Sequence, residues 1–179
     1  MLRPPETFTT ARLSARPPQA GDAPAVFAAY ARDPVVTRYL SWKAYEEVPP
    51  LEEFLAARAE TWRTGTGHFG WLLHRRDTGD LIGSIGVELH ARDALFGYVL
   101  GQKFWRQGLM TEALGHVVDW SLGQPGIYRA WAFCDVENPA SARVMEKAGM
   151  QREGILRRWH VCPNMGPEPR DCIVCAKVK

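Results

Sequence analysis

The amino-acid sequence predicts a single α/β domain built on a mixed sheet, and three observations carry that expectation. The chain has 179 residues, the size of one compact domain with one core. Hydrophobic residues make up 46% and charged residues 23%, the balance of an ordinary soluble globular protein. Segments of alternating polarity crowd the middle of the chain, and segments of helical period intervene irregularly rather than after every strand, which favours a mixed sheet over a regular βα repeat. Sixteen glycines and 13 prolines add many turns.

Taken in order, Arg12 to Arg16 (RLSAR) alternates as a half-buried strand should. Asp22 is placed to cap a helix running through Tyr30 and Arg32, where Asp33-Pro34 stops it. A second helix follows Pro49-Pro50, with Leu51, Phe54, Leu55 and Trp62 on one stripe and Gly65 and Gly67 ending it. Phe69 to His74 and Leu81 to His90 read as two strands joined by a hairpin turn at Asp77-Thr78-Gly79. In the second of these Ile85, Val87 and Leu89 share one face, and Ser84, Gly86, Glu88 and His90 the other. Ala94 to Gly101 (ALFGYVLG) is a third strand.

From Gly108 the period becomes helical, with Met110, Ala113, Leu114, Val117, Val118 and Leu122 on one face. Gln124-Pro125-Gly126 breaks this helix, and Ile127 to Val136 returns to strand. Asn138-Pro139 opens a short helix, with Asn as N-cap and Pro first inside, closing on Gly149 at C′. Strands near Met150 to Cys162 and Asp171 to Val178 complete seven strands and four helices.

Several functions are excluded at this level. The formal charge is +2 and basic residues are scattered, so no nucleic-acid partner is expected. The longest nearly unbroken apolar stretch, Ala23 to Ala31, is far short of the roughly 20 residues of a membrane span. The opening MLRPPETFTT lacks the apolar core of a signal peptide, which points to the cytoplasm, where the four cysteines are read as reduced thiols. His160, Cys162, Cys172 and Cys175 offer a zinc set on spacing alone. Strand geometry turns Cys172 and Cys175 to opposite faces, so no metal is expected.

The chemistry is sought at the junction Gly101 to Ala113 (GQKFWRQGLMTEA), where a strand feeds a helix. Free N–H groups at a helix start, together with its dipole, suit a phosphate. Gly108 allows close approach, and Lys103, Arg106 and Thr111 add charge or donors. The alternative is a glycine that only permits the turn. No Walker loop occurs. Glu88 and His90, on one face of one strand, are candidates to relay a proton from an amine, with Asp135 at another strand end as a further candidate; each is also what a solvated strand end looks like. Asn138 and Ser141 fit a helix cap on spacing alone, and mid-strand Tyr98 fits a core position.

Two segments in this order, G-x-x-T-E-A at Gly108 and N-x-x-S-x-x-x-x-E-K-x-G at Asn138 to Gly149, lie about 30 residues apart. With TARLSAR, DPVVTRYLSW, Gly97-Tyr98, Glu153-Gly154 and Arg170-Asp171, they make the chain resemble the GNAT acetyltransferases over nearly its whole length, in particular the RimJ/RimL-like branch that acetylates ribosomal-protein N-termini. The resemblance implies a single-domain GNAT fold with core about 10–178: a mixed, mostly antiparallel twisted sheet of about seven strands and about four helices.

It also implies acetyl transfer from acetyl-CoA to an amine. Trp105, Arg106, Gln107, Gly108, Met110 and Thr111 would hold the pyrophosphate, and Tyr98, Val99 and Leu100 the pantetheine. Asn138 and Ser141 would face the thioester, with Ser141 giving a proton to the leaving thiolate or holding a water. Two residues depart from the pattern: Arg106 stands where a glycine is common, and Leu95 where the superfamily often has a glutamate base.

The expected acceptor is the α-amine of a protein or peptide. At pH 7 roughly 14% of an α-amine but about 0.04% of a lysine amine is unprotonated, and a site without an obvious strong base suits the former. A small-molecule amine is the alternative acceptor, and a non-catalytic acetyl-CoA-binding module the alternative class. Specificity is assigned to Ser41 to Pro50 and Val161 to Pro169, and monomer and homodimer are both left open.

Overall fold

The alternating segments assemble into one sheet in the computed structural model, which describes residues 2–65 and 67–179. Its strands are β1 (Phe8–Thr9), β2 (Leu13–Arg16), β3 (His68–Arg75), β4 (Leu81–Leu89), β5 (Asp93–Leu100), β6 (Arg129–Asp135), β7 (Gln151–Val161) and β8 (Pro169–Val178). Their order is β1-β2-β3-β4-β5-β6-β8-β7. Every neighbouring pair is antiparallel except β5 with β6.

The described residues form eight strands rather than seven, because β1, only two residues long, pairs with β2 through Phe8↔Ala15 and Thr9↔Ser14. Two residues are too few to show a period.

The helices are α1 (Ala23–Val26), continued by a π-helical turn over Phe27–Ala31, then α2 (Pro34–Thr37), α3 (Val48–Thr64), α4 (Leu109–Gly123) and α5 (Pro139–Lys147). They number five rather than four because Asp33, expected only to stop the first helix, also starts α2. Its carboxylate accepts from the Val35 and Val36 N–H groups, and Pro34 at the first helical position loses no bond.

Asp22 does precede α1, but its carboxylate does not cap it. It accepts instead from the Arg16 guanidinium at 2.7 Å and from the Gln19 N–H at 2.7 Å, a stronger charge-assisted arrangement. Phe54 likewise leaves the α3 stripe and is 37% exposed, covered by Arg58, whose guanidinium lies 4.9 Å over its ring. Leu51, Leu55 and Trp62 are buried as the period requires.

One face of the sheet, carrying Phe69, Trp71, Ile85, Val87 and Phe96, packs with Leu109, Ala113, Leu114, Val117 and Val118 of α4 and Met145 of α5 in the main core. On the other face Leu72 and Val99 pack with Val26 of α1, Tyr30 of the π-helical turn and Leu51 and Leu55 of α3. The sheet is therefore covered on both sides, unevenly. Glycines replace side chains along one row of the second face, through Gly70↔Gly86 and Gly86↔Gly97.

Candidate active site

The parallel pair β5–β6 is registered only over Asp93–Leu95 against Arg129–Trp131; beyond that the two strands part. The phase of the β4–β5 ladder is fixed by Gly101 N–H donating to Ile82 O (2.8 Å) and His90 N–H to Asp93 O (2.9 Å). Residues in an antiparallel pair alternate between bonding inward and outward. Leu95, Gly97 and Val99 thus bond to β4, and the main-chain groups of Phe96, Tyr98 and Leu100 point toward the gap. Trp105 Nε1 donates to Leu100 O at 2.7 Å, tying the following loop to the strand end. Val99 is committed to the ladder, and its side chain lines the opposite face.

That loop runs through a 3-10 turn at Gln102–Phe104 into α4. Arg106 and Gly108 both take left-handed backbone conformations, with φ of 61° and 74°. The first α4 amide with a main-chain acceptor is Glu112 N–H, donating to Gly108 O at 3.1 Å. The N–H groups of Leu109, Met110 and Thr111 precede the first intrahelical bond.

The start of α4 is clamped to β2. The Glu112 carboxylate accepts from Arg12 Nε (2.7 Å), Arg12 N–H (2.9 Å) and the Thr10 hydroxyl (2.5 Å), while an Arg12 NH group donates to Gln107 O (2.8 Å). With exposed Lys103 and Arg106 beside it, the junction joins positive charge to helix-start N–H groups, a combination that suits an anion. Gln107 spends its side-chain amide on Lys103 O at 3.1 Å. Met110 has its side chain in the core, so only its main chain is available to a ligand.

Across the gap, Asn138 starts α5 with its Oδ1 accepting the Ser141 N–H at 3.1 Å, so Asn138 is the cap. The Ser141 hydroxyl is not used in capping. It lies 2.8 Å from the Tyr98 hydroxyl, which also approaches Ser141 O at 3.1 Å. Burial pushes the Tyr98 phenol well above its ordinary value, keeping it protonated. Cys134 sits beside the pair with its Sγ 3.6 Å from Asn138 O, and burial pushes its thiol up to about 11.

The second face carries a cavity of about 410 Å³ that reaches Tyr98 from the side away from α4 and α5. Its floor is the glycine row: a Cβ at Gly70 or Gly97 would meet nothing within 4 Å, whereas one at Gly86 would come within 2.1 Å of His68 Nε2. Trp42, Tyr45, Phe54 and Tyr30 form its walls. Tyr30 bonds to Ser84, and burial pushes its phenol up to about 12. The loop carrying Trp42 is held by Asn164, whose side chain bonds to Thr37 O (2.7 Å), Trp42 O (2.8 Å) and the Ala44 N–H (3.1 Å). The two segments expected to set specificity are thereby joined.

At the rim, Glu88 Oε1 lies 3.2 Å from His68 Nδ1 and its other oxygen 3.8 Å from His90 Nε2. His90 Nδ1 is 2.9 Å from Asp93, which also accepts from Trp131 Nε1 at 2.8 Å. Burial of Asp93 opposes ionisation, but these bonds outweigh it and hold its carboxyl below the usual value.

Asp135 stands apart from this group. It is buried, ion-paired with Arg170 and accepts the Glu137 N–H at 2.8 Å, a role that closes the β6–α5 turn. Cys172 and Cys175 are both buried, as are all four free cysteines, and among the described residues no His/Cys/Asp/Glu group arranged to hold a metal is present.

The geometry thus brings Tyr98, Asn138 and Ser141 together at the gap and places Trp105 to Thr111 at the start of α4, with Glu88 on the far face. Sequence reading did not single out His68, Cys134 or the Arg12–Glu112 clamp. His68 and the clamp join the site through pairings 20 and 100 residues apart, which no local pattern encodes, while Cys134 joins it at the end of β6 through Asn138 O, four residues on; for His68 the one available signal is that it and Glu88 flank the same hairpin.

The acetyltransferase (GNAT) domain family matches residues 12–151. A Bacillus subtilis (strain 168) protein named as the uncharacterised N-acetyltransferase YoaA is 34% identical over 153 residues, which is 84% of this chain and 85% of that protein. Among solved structures, a GNAT-family acetyltransferase from Bacillus anthracis superposes with a TM-score of 0.82 at 24% identity, over 96% of this chain and 98% of that one. RimL, a ribosomal α-N-protein acetyltransferase in complex with coenzyme A, superposes with a TM-score of 0.83 at 18% identity, over 97% and 98% of the two chains. With the fold, the parted strands and the family match in agreement, this chain belongs to the GNAT acetyltransferases, enzymes that transfer an acetyl group from acetyl-CoA.

Proposed function

We propose that the protein acetylates the α-amine of a protein or peptide. The observation that carries this reading is a two-sided site. A gap lined by main-chain donors and ending at Tyr98–Ser141 opens on one side, and an aromatic-walled cavity of about 410 Å³ reaches Tyr98 from the other.

In this reading acetyl-CoA lies in the gap. Its pyrophosphate rests on the N–H groups from Trp105 to Thr111, with Lys103 and Arg106 adding charge. Its pantetheine runs along the outward main-chain groups of Phe96 and Tyr98, and the thioester ends at Ser141 and Tyr98. The hydroxyl pair then stabilises the departing thiolate and supplies its proton. Asn138 acts through the helix it caps, by fixing where Ser141 stands.

The acceptor enters by the cavity. A cavity of that volume has room for the terminal residue of a peptide. An α-amine suits a site that shows no strong base, since roughly 14% of it is already neutral at pH 7. RimL, whose fold is shared, acts on a ribosomal protein's α-amine, which supports the same class of acceptor. The four buried thiols support a reducing, cytoplasmic setting, and no helix of the described residues is long and apolar enough to cross a membrane.

One observation favours a second reading: a cavity of this volume with aromatic walls also matches a single small amine in size. Incubation with acetyl-CoA and a panel of peptides and small amines, read by mass spectrometry, separates the two. Acetyl groups on peptide N-termini are the expected result; acetylation confined to small amines would replace the first reading with the second.

A further inference from the structure

The floor of the acceptor cavity is stripped of side chains at Gly70, Gly86 and Gly97, and one ring occupies the space so created. His68, at the first position of β3, lies over Gly86 so closely that its Nε2 would be 2.1 Å from any Cβ there. Gly86 is the ladder partner of Gly97, the residue before Tyr98. The nitrogen therefore stands over β4, the immediate ladder neighbour of the strand that borders the gap. Its other nitrogen, Nδ1, is 3.2 Å from Glu88 Oε1.

We propose that His68 takes the proton from the acceptor amine, and that Glu88 is the positioning residue that holds Nδ1 and keeps Nε2 turned to the glycine floor. The proposal rests on the acetyl-transfer reading above and adds the missing base to it. Among the side chains around the cavity it alone combines a free basic nitrogen with a position over the floor. Glu88 is nearly half exposed and reaches the cavity only through the ring, while His90 is turned to Asp93.

The charged groups facing the ring are Glu88 from β4 and Arg58 from α3, with the Tyr45 hydroxyl among the cavity walls. Burial and Arg58 together outweigh Glu88 and set the imidazole below its ordinary value. The ring is then neutral at pH 7 and able to accept a proton, and Glu88 offsets the charge it gains.

The step balances. Of the three hydrogens on the ammonium, one moves to His68 Nε2 and leaves to water. The freed lone pair forms the C–N bond, the C–S bond breaks with its electron pair on sulfur, one hydrogen passes to that sulfur by way of the Ser141–Tyr98 hydroxyls, and one stays on the amide.

The test uses the full-length protein with whichever amine of the peptide and small-amine panel it acetylates fastest. His68→Gln should lower kcat at pH 7 by about 10² to 10³-fold while the calorimetric Kd for acetyl-CoA stays within threefold, and added imidazole should restore part of the rate to His68→Gly. Glu88→Gln should cost about tenfold and move the acid limb of the kcat profile to lower pH, because the ring loses the carboxylate that favours its charged form. A purely structural Glu88 would leave that limb where it is.

If the variants do not fold, the His68 ring of the native protein, followed by NMR, should titrate below 6.5. A ring that stays charged above pH 7, or a folded His68→Gln variant with native kcat, overturns the proposal. A native protein that releases no thiol with any amine overturns this proposal and the α-amine reading together, whereas active protein indifferent to His68→Gln overturns only the role of His68.

Discussion

The Tyr98 hydroxyl lies 2.8 Å from the Ser141 hydroxyl, joining β5 to α5 across the place where β5 and β6 separate. The bond links the two walls of the gap at the point where a thioester lying along β5 would end. It also releases Ser141 from the capping role that its position in the helix suggests, since Asn138 Oδ1 already holds the Ser141 N–H.

Ser141→Ala should therefore lower kcat by roughly 10 to 100-fold, toward the low end of acid–base effects because a thiolate is already a fair leaving group. Acetyl-CoA affinity should stay within a few fold and the melting temperature nearly constant. Tyr98→Phe should fall in the same range. If the two hydroxyls act as one unit, the double variant is no slower than the slower single one. Steady-state kinetics with calorimetry on all three checks this, and multiplied losses would show that the hydroxyls act separately.

Asn138→Ala should act mainly on stability. Removing the cap leaves the Ser141 N–H without its acceptor and costs about 1 kcal/mol, which for a chain of this size lowers the melting temperature by roughly 2 to 4 °C. Loss of rate should follow only as far as α5 shifts Ser141. Thermal melts of Asn138→Ala and Asn138→Asp test this, with the aspartate variant, itself a good cap, keeping most of the stability.

Glu112 gives a pH-dependent prediction. Partial burial raises its pKa, but hydrogen bonds from Thr10 and from the Arg12 N–H and guanidinium outweigh this and hold it below the ordinary value of 4.5. A carboxyl depressed on folding adds stability that is present above its unfolded pKa and lost as pH falls through the folded one. Glu112→Gln should accordingly be less stable than the native protein at pH 7, with the difference shrinking below pH 4.5. Urea denaturation at both pH values measures it, and an equal gap at each would exclude the ionised clamp.

Much of this was legible in the sequence, and what was legible shares a physical property. The α4 face at Met110, Ala113, Leu114, Val117 and Val118, the Asn138-Pro139 helix start and the Gly149 stop depend on residues within one or two turns of each other. All three are where the periodicity puts them. The misread positions involve competition at longer range. Asp22 looks like a cap until Arg16, six residues earlier, takes its carboxylate. His68 stands one residue before the strand expected to begin at Phe69, and only register sets it opposite Glu88. The two-residue β1 and the one-turn α2 are too short to display any period.

Arg106 supplies the last prediction, because two effects at one residue can be separated. Its φ of 61° lies in the left-handed region, which costs a residue with a Cβ about 1 kcal/mol relative to glycine. Arg106→Gly would relieve that strain, but glycine also adds freedom to the unfolded chain, worth about 0.4 to 1 kcal/mol in the opposite sense. The two nearly cancel, so the melting temperature should move by no more than about 2 °C. Binding has no such cancellation. The exposed guanidinium beside the α4 N–H groups adds one positive charge near where the pyrophosphate would rest, and an exposed charge of this kind contributes a few tenths to about 1 kcal/mol. Arg106→Gly should thus weaken coenzyme A by about two- to fivefold at low ionic strength, and the difference should narrow at high salt, where the charge is screened. Dephospho-coenzyme A should lose a similar factor, since the guanidinium is assigned to the pyrophosphate and not to the 3′-phosphate. Calorimetry with both ligands at two salt concentrations tests the assignment; a loss confined to coenzyme A itself would move Arg106 to the 3′-phosphate, and no loss with either would leave the loop amides as the whole anion site.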